Sequence, residues 1–141
     1  MKSEEELLKL AKEDGWDWVC RNQKLSEEFI EKHAEDVNWV WISYTQVLSE
    51  ELIEKNKRRV NWVWISTYQE LSEEFIDKHI EEIYLNGLIQ NKKLNPILIE
   101  KYTKQYKERV QDFMKKAASI SGEVDYFSPK KVTTKNEGQS R

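Results

Sequence analysis

The sequence predicts an all-α solenoid of short helix pairs. Two observations carry this: a 23-residue repeat without gaps, and a helix-start signal in the second half of every unit. The hexapeptide Val37-Asn38-Trp39-Val40-Trp41-Ile42 recurs as Val60-Asn61-Trp62-Val63-Trp64-Ile65. One step of 23 back lies Asp14-Gly15-Trp16-Asp17-Trp18-Val19, and one step forward a degraded copy, Ile83-Tyr84-Leu85-Asn86-Gly87-Leu88. Four units follow: 14–36, 37–59, 60–82 and 83–105.

The chain before them is in phase. Ser3-Glu4-Glu5 aligns with Ser26-Glu27-Glu28, and Leu7 falls in the slot of Ile30, so the array opens with half a unit. Ser3 and Glu6 have the spacing of a capping box. The second half of each full unit begins a helix. Ser26, Ser49 and Ser72 are N-cap residues, and the glutamate pairs behind them favour the positive end of the helix dipole. Leucine before the cap and isoleucine inside the helix form hydrophobic staples: Leu25–Ile30, Leu48–Ile53, Leu71–Ile76 and Leu94–Ile99. In the fourth unit Asn95 is the cap, and Pro96 takes the first helical position, where it loses no hydrogen bond.

The tryptophan half is also read as helix. Two tryptophans spaced by two would share one face of a strand. A strand per unit needs a sheet, however, and four glycines and two prolines supply few turns. A short strand in each unit stays as the alternative. On the helical reading, Trp39 and Ile42 face their own unit and Trp41 the neighbouring one. A 23-residue pair cannot bury its own apolar face, so neighbours must cover it. The expected stacking core is therefore Trp16, Trp18, Trp39, Trp41, Trp62 and Trp64, with the eight staple residues named above.

The ends differ from the middle, as capping requires. The opening half unit has no tryptophan, and the fourth unit has Leu85 and Gly87 in the tryptophan slots. From Pro96 an unbroken helical pattern runs through Lys116, with Tyr102, Tyr106, Val110, Phe113, Met114 and Ala117 at helical spacing. This predicts one long capping helix to about residue 118, closing a single repeat domain over 1–118. A polar, breaker-rich and disordered tail is expected over 119–141.

The run Trp39-Val40-Trp41-Ile42-Ser43, followed by Gln46, Leu48-Ser49-Glu50-Glu51 and Ile53, resembles the short tryptophan-containing helical repeats of bacteriophage and large DNA virus proteins. The resemblance is good over 14–82 and weak over 83–105. It implies a helical repeat and a viral or prophage product working in a host cell. It implies no reaction.

Composition and charge exclude several classes. The chain is 35% charged yet 11% aromatic, so its apolar area lies in a few large side chains. No apolar run spans a bilayer, and the opening MKSEEELLKLAKED is too acidic for a signal peptide. The lone Cys20 points to a reducing cytoplasm, that of the host if the protein is viral. His33 and His79 share one repeat slot two units apart, too far to share a metal, and Asn56 and Tyr102 fill that slot elsewhere. Cys20 shares its slot with Ser43 and Ser66 and is read as a small packed residue. The Glu–Lys and Asp–Lys dipeptides at 31, 54, 77 and 100 are read as a solvated helix face. No catalytic residue, metal or cofactor is expected.

Residues 1–82 hold 11 basic and 20 acidic side chains, a net of −9, whereas 83–141 hold 12 and 6, a net of +6. Positions that vary between units are the ligand-facing ones in a solenoid. They follow the tryptophans: Arg21, Asn22 and Lys24; Tyr44 and Thr45; Thr67 and Tyr68. Gln23, Gln46 and Gln69 stay constant among them and are read as bonding the turn backbone. The expected function is a non-catalytic scaffold for another protein, a host protein in a viral setting, with inhibition or redirection as the outcome. The alternative is a nucleic-acid-binding repeat that uses the basic C-terminal segment.

Overall fold

A computed structural model describes residues 1–121. Among them nine helices form and no strand: α1 (Glu4–Asp14), α2 (Trp16–Asn22), α3 (Glu27–Lys32), α4 (Trp39–Thr45), α5 (Glu50–Lys55), α6 (Trp62–Tyr68), α7 (Glu73–Lys78), α8 (Leu85–Leu88) and α9 (Pro96–Ser121). The caps explain the starts. Ser3 and Glu6 close the capping box on α1. Ser26, Ser49 and Ser72 accept the N–H of Phe29, Leu52 and Phe75 at 3.0, 3.1 and 3.1 Å. Asn38 Oδ1 accepts from Val40 and Trp41, and Asn61 Oδ1 from Trp64, so α4 and α6 are helices with asparagine caps, whereas α2 starts at Gly15 without a side-chain cap.

Two kinds of helix alternate. The tryptophan helices α2, α4 and α6 and their tryptophan-free counterpart α8 pack one upon the next, and α1 packs on α2. The acidic helices α3, α5 and α7 lie between them in sequence. The compact unit holding the repeats covers Met1–Thr103, and the chain from Lys104 forms a second unit. The sequence-based domain, 1–118, took the capping helix whole; the contacts divide α9 between Thr103 and Lys104. In the second unit α9 exposes Val110, Phe113 and Ile120. Residues 119–121 of the expected tail belong to α9, and the remainder lies outside the described residues.

The core is mostly isoleucine, leucine and valine, with Phe29, Phe75 and Tyr102. Ile30, Ile42, Ile53, Ile65 and Ile76 are fully buried, and Leu25, Leu48, Leu71 and Leu94 are buried. The tryptophans correct the expectation. Trp16, Trp39, Trp41, Trp62 and Trp64 are only half-buried, and Trp18 is exposed. A seven-residue helix has one inward face, and Ile42 and Ser43 (Ile65 and Ser66 in the next unit) already fill it. Ile99 is likewise half-buried, because α9 is the last helix of the stack and nothing of this unit follows it.

Between units, polar ladders do the joining. Gln46 Oε1 accepts the Leu25 N–H at 2.9 Å, and its Nε2 donates to the carbonyls of Cys20 and Gln23. Gln69 repeats this on Leu48, Ser43 and Gln46 at 3.0, 3.0 and 2.7 Å. Ser43 and Ser66 hydroxyls accept the N–H of Asn61 and Tyr84 at 2.9 Å, and Cys20 Sγ accepts that of Asn38 at 3.4 Å. Glu27 and Glu50 accept the backbone N–H and hydroxyl of Ser49 and Ser72 in the following unit. Every buried side-chain nitrogen and oxygen among the described residues has a partner.

The acid–lysine dipeptides are not a merely solvated face. Glu31 meets Lys55 at 3.6 Å, Glu54 meets Lys78 at 2.9 Å, and Asp77 meets Lys101 at 3.1 Å, each pair joining neighbouring units. The slot shared by His79 and Tyr102 joins this ladder. His79 Nε2 lies 2.7 Å from Glu54, and Tyr102 donates its hydroxyl to Asp77 at 2.7 Å. Lys78 and His79 hold the Glu54 carboxyl well down, at about 2, from an ordinary value of 4.5. A depressed carboxylate stabilises the fold above its unfolded value and loses that contribution as pH falls towards the folded one. The midpoint of urea unfolding is therefore expected to drop between pH 4.5 and about 2. Glu54→Gln should flatten that drop; an unchanged slope would show that the pair adds nothing.

Candidate partner-binding surface

Each tryptophan helix turns a second face away from the core. In α4, Val40, Trp41 and Tyr44 lie at i, i+1 and i+4, on one side of a helix. In α6 the matching residues are Val63, Trp64 and Thr67, with Tyr68 alongside. Val40 is 46% exposed, Tyr44 41%, Val63 43% and Tyr68 40%. The first tryptophan of each pair behaves differently. Trp39 and Trp62 donate their indole N–H to the carbonyls of Ala34 and Lys57 at 3.0 Å, and Trp62 stacks on Phe75, 6.3 Å between centroids. Thus Trp16 and Trp62 set their rings against Phe29 and Phe75 of their own units, and Trp39 and Trp62 also bond the end of the preceding unit. The half-buried Trp41 and Trp64 meet Arg21 and Tyr44 of the preceding unit, and Trp18 is exposed.

Trp41, Tyr44, Trp64 and Tyr68 form a continuous row. The Arg21 guanidinium lies 5.3 Å from the Trp41 ring centroid. Trp41 and Tyr44 are 6.0 Å apart, and Tyr44 lies 5.0 Å from Trp64 and 4.9 Å from Tyr68. Trp64 and Tyr68 are 5.7 Å apart. The row stops at α8. Gly87 holds the tryptophan slot there, and a Cβ would run into the Thr67 hydroxyl and come within 2.9 Å of the Tyr84 ring.

Of the candidates named from sequence, Arg21, Tyr44 and Tyr68 come together in this row. Arg21, Asn22, Lys24 and Thr45 line an adjoining groove of about 330 Å³. Three of the seven are also tied to the framework. Asn22 donates to the Trp18 carbonyl, Thr67 to that of Val63, and Thr45 to those of Cys20 and Trp41. Sequence reasoning missed that Trp18, Val40 and Val63 are exposed and that Trp41 and Trp64 are only half-buried. The available signal was arithmetic: a seven-residue helix that is apolar all round cannot hide every face.

The chemistry elsewhere is quiet. Cys20 is fully buried, which pushes its thiol up and away from the reactive thiolate. His79 is buried between the Trp62 and Phe75 rings, with Glu54 at one ring nitrogen and Glu82, 3.3 Å away, at the other. Burial and Asp77 push the Tyr102 phenol up to about 12. Among the described residues no three His, Cys, Asp or Glu side chains converge as a metal site, and no helix is long and apolar enough to cross a membrane. Comparison with protein-family models, with curated proteins and with solved structures finds no match to this chain.

Proposed function

We propose that this chain is a non-catalytic scaffold that binds another protein through the outward face of α2, α4 and α6. The observation that carries the reading is the aromatic row. In a chain that is 35% charged, Trp18, Val40, Tyr44, Val63 and Tyr68 stay exposed around the half-buried rings of Trp41 and Trp64, across three helices. Contiguous exposed apolar area marks an interaction surface, and tyrosine, tryptophan and arginine are the residues that anchor one. The resemblance to phage and viral tryptophan repeats supports a host protein as the partner, held to inhibit or redirect it.

The test is affinity capture from host lysate with the full chain and with a Tyr44→Ala, Tyr68→Ala double variant of equal helix content. The wild type is expected to retain a defined protein that the double variant loses. Capture that ignores both tyrosines, or none under several conditions, counts against this surface.

A further inference from the structure

We propose that the aromatic row seats a proline-rich segment in polyproline II conformation, and that an acidic residue flanking the segment meets Arg21 and Lys24. This rests on the scaffold reading above and names the partner's chemistry. Four observations lead to it.

The first is the open donors. Among the described residues the indole N–H groups of Trp39 and Trp62 are taken by backbone carbonyls, whereas those of Trp41 and Trp64 and the hydroxyls of Tyr44 and Tyr68 have no hydrogen-bond partner. A polyproline II strand makes no internal hydrogen bonds and presents its carbonyls outward, so it supplies acceptors without first giving up its own structure. An α-helical ligand has already spent most of its carbonyls.

The second is period. Packed helices lie about 8–10 Å apart, and one turn of polyproline II, three residues at 3.1 Å rise, advances about 9 Å. Each turn of the ligand then meets one repeat unit, and proline rings recur in step with the Trp41 and Trp64 stations.

The third is the character of the row. Flat aromatic faces suit proline rings, and aromatic-lined grooves recognise such segments because little entropy is lost on binding. Gly87 ends the row, so the ligand spans α2, α4 and α6, about three turns or nine residues.

The fourth is charge. Among the described residues, Arg21 and Lys24 are the only charged side chains that line the adjoining groove, and Arg21 also lies over the Trp41 ring. They stand at one end of the row in an array whose residues 1–82 carry a net of −9. A positive pocket in that setting complements an acidic side chain at the end of the ligand. A single-stranded nucleic acid would also stack on the rings, but needs cations along its whole backbone, and Trp41, Tyr44, Trp64 and Tyr68 offer none.

The test uses the full chain and synthetic peptides of about nine prolines with two glutamates at one end, made in both polarities. Tryptophan fluorescence follows the titration. One polarity is expected to bind saturably, and a glycine–serine peptide bearing the same glutamates about tenfold more weakly. Tyr44→Ala with Tyr68→Ala should weaken binding by about tenfold or more at unchanged helix content. Tyr44→Phe, which keeps the ring, should weaken it by a smaller factor. Arg21→Glu should reverse the preference from glutamate-ended to lysine-ended peptide. The proposal is overturned if the glycine–serine peptide binds equally well, if no peptide responds to the tyrosine variants, or if a single-stranded oligonucleotide of similar length binds more tightly than any peptide. Lysate capture that depends on Tyr44 and Tyr68, with no oligoproline bound, would keep the scaffold and discard the ligand. Capture indifferent to both would discard the surface itself.

Discussion

Replacing Gln69 by leucine is expected to cost about 3–5 kcal/mol of unfolding free energy, far more than a buried apolar-for-polar exchange of equal size suggests. The Gln69 amide serves three backbone groups of the preceding unit: the Leu48 N–H and the carbonyls of Ser43 and Gln46. Leucine fills the volume and leaves all three stranded at a site only 2% exposed. Each unsatisfied buried group costs about 1–3 kcal/mol. Urea unfolding followed by circular dichroism measures the loss. Gln23→Leu is the control, because the half-buried Gln23 side chain makes none of these bonds. Equal effects at 23 and 69 would show that the glutamine ladder is incidental.

Ile53→Ala is expected to destabilise by about 2–5 kcal/mol. Ile53 is fully buried in α5. Deleting three of its carbons opens a cavity that short helices on either side can collapse into only partly. Because each unit leans on its neighbours, the loss should appear in one cooperative transition. Val63→Ala, at a position 43% exposed on the aromatic face, should stay within about 0.5 kcal/mol. A Val63 effect as large as that at Ile53 would mean that the outward face is part of the core.

Much of this fold is legible in the chain. The serine caps, the leucine–isoleucine staples, the capping helix from Pro96 and the all-helical character follow from local rules that the structure obeys. The constancy of Gln23, Gln46 and Gln69 among variable neighbours signals turn bonding correctly at 46 and 69, but the Gln23 side chain makes no such bond, because the half unit before it lacks the turn that Gln46 and Gln69 bond. Other features were hidden because they depend on where a side chain points. Trp41 meets Arg21 of the neighbouring unit as expected, but a repeat alignment does not show that Trp18 is exposed and the other five tryptophans only half-buried. Asn38 and Asn61 cap α4 and α6, but the same slot holds Gly15 and Tyr84 in the outer units, so the alignment does not mark it as a cap.

The fourth unit shows a different limit. A gapless alignment sets Lys92 opposite Gln69, but Asn91 takes the ladder role, donating to the carbonyls of Ser66 and Gln69 at 2.8 Å. Helix α8 is only four residues long, so the chain reaches the bonding position one residue early. Residue count and hydrogen-bond register part company there. The acid–lysine ladder escaped notice for a related reason: its partners are one unit plus one residue apart, a spacing that a comparison of equivalent slots does not test.

The inter-unit bonds also bear on how such a gene can change. Donors and acceptors recur at a fixed step, so a duplication or loss of one whole unit in the coding DNA joins like to like. Gln69 would find Gln23 and Cys20 carbonyls where it now finds those of Gln46 and Ser43, and Glu27 would find Ser72 where it now finds Ser49. Near-identical repeats favour such unequal exchange during replication. Copy number then becomes a heritable adjustment of length: each inserted unit adds one tryptophan station to the aromatic row.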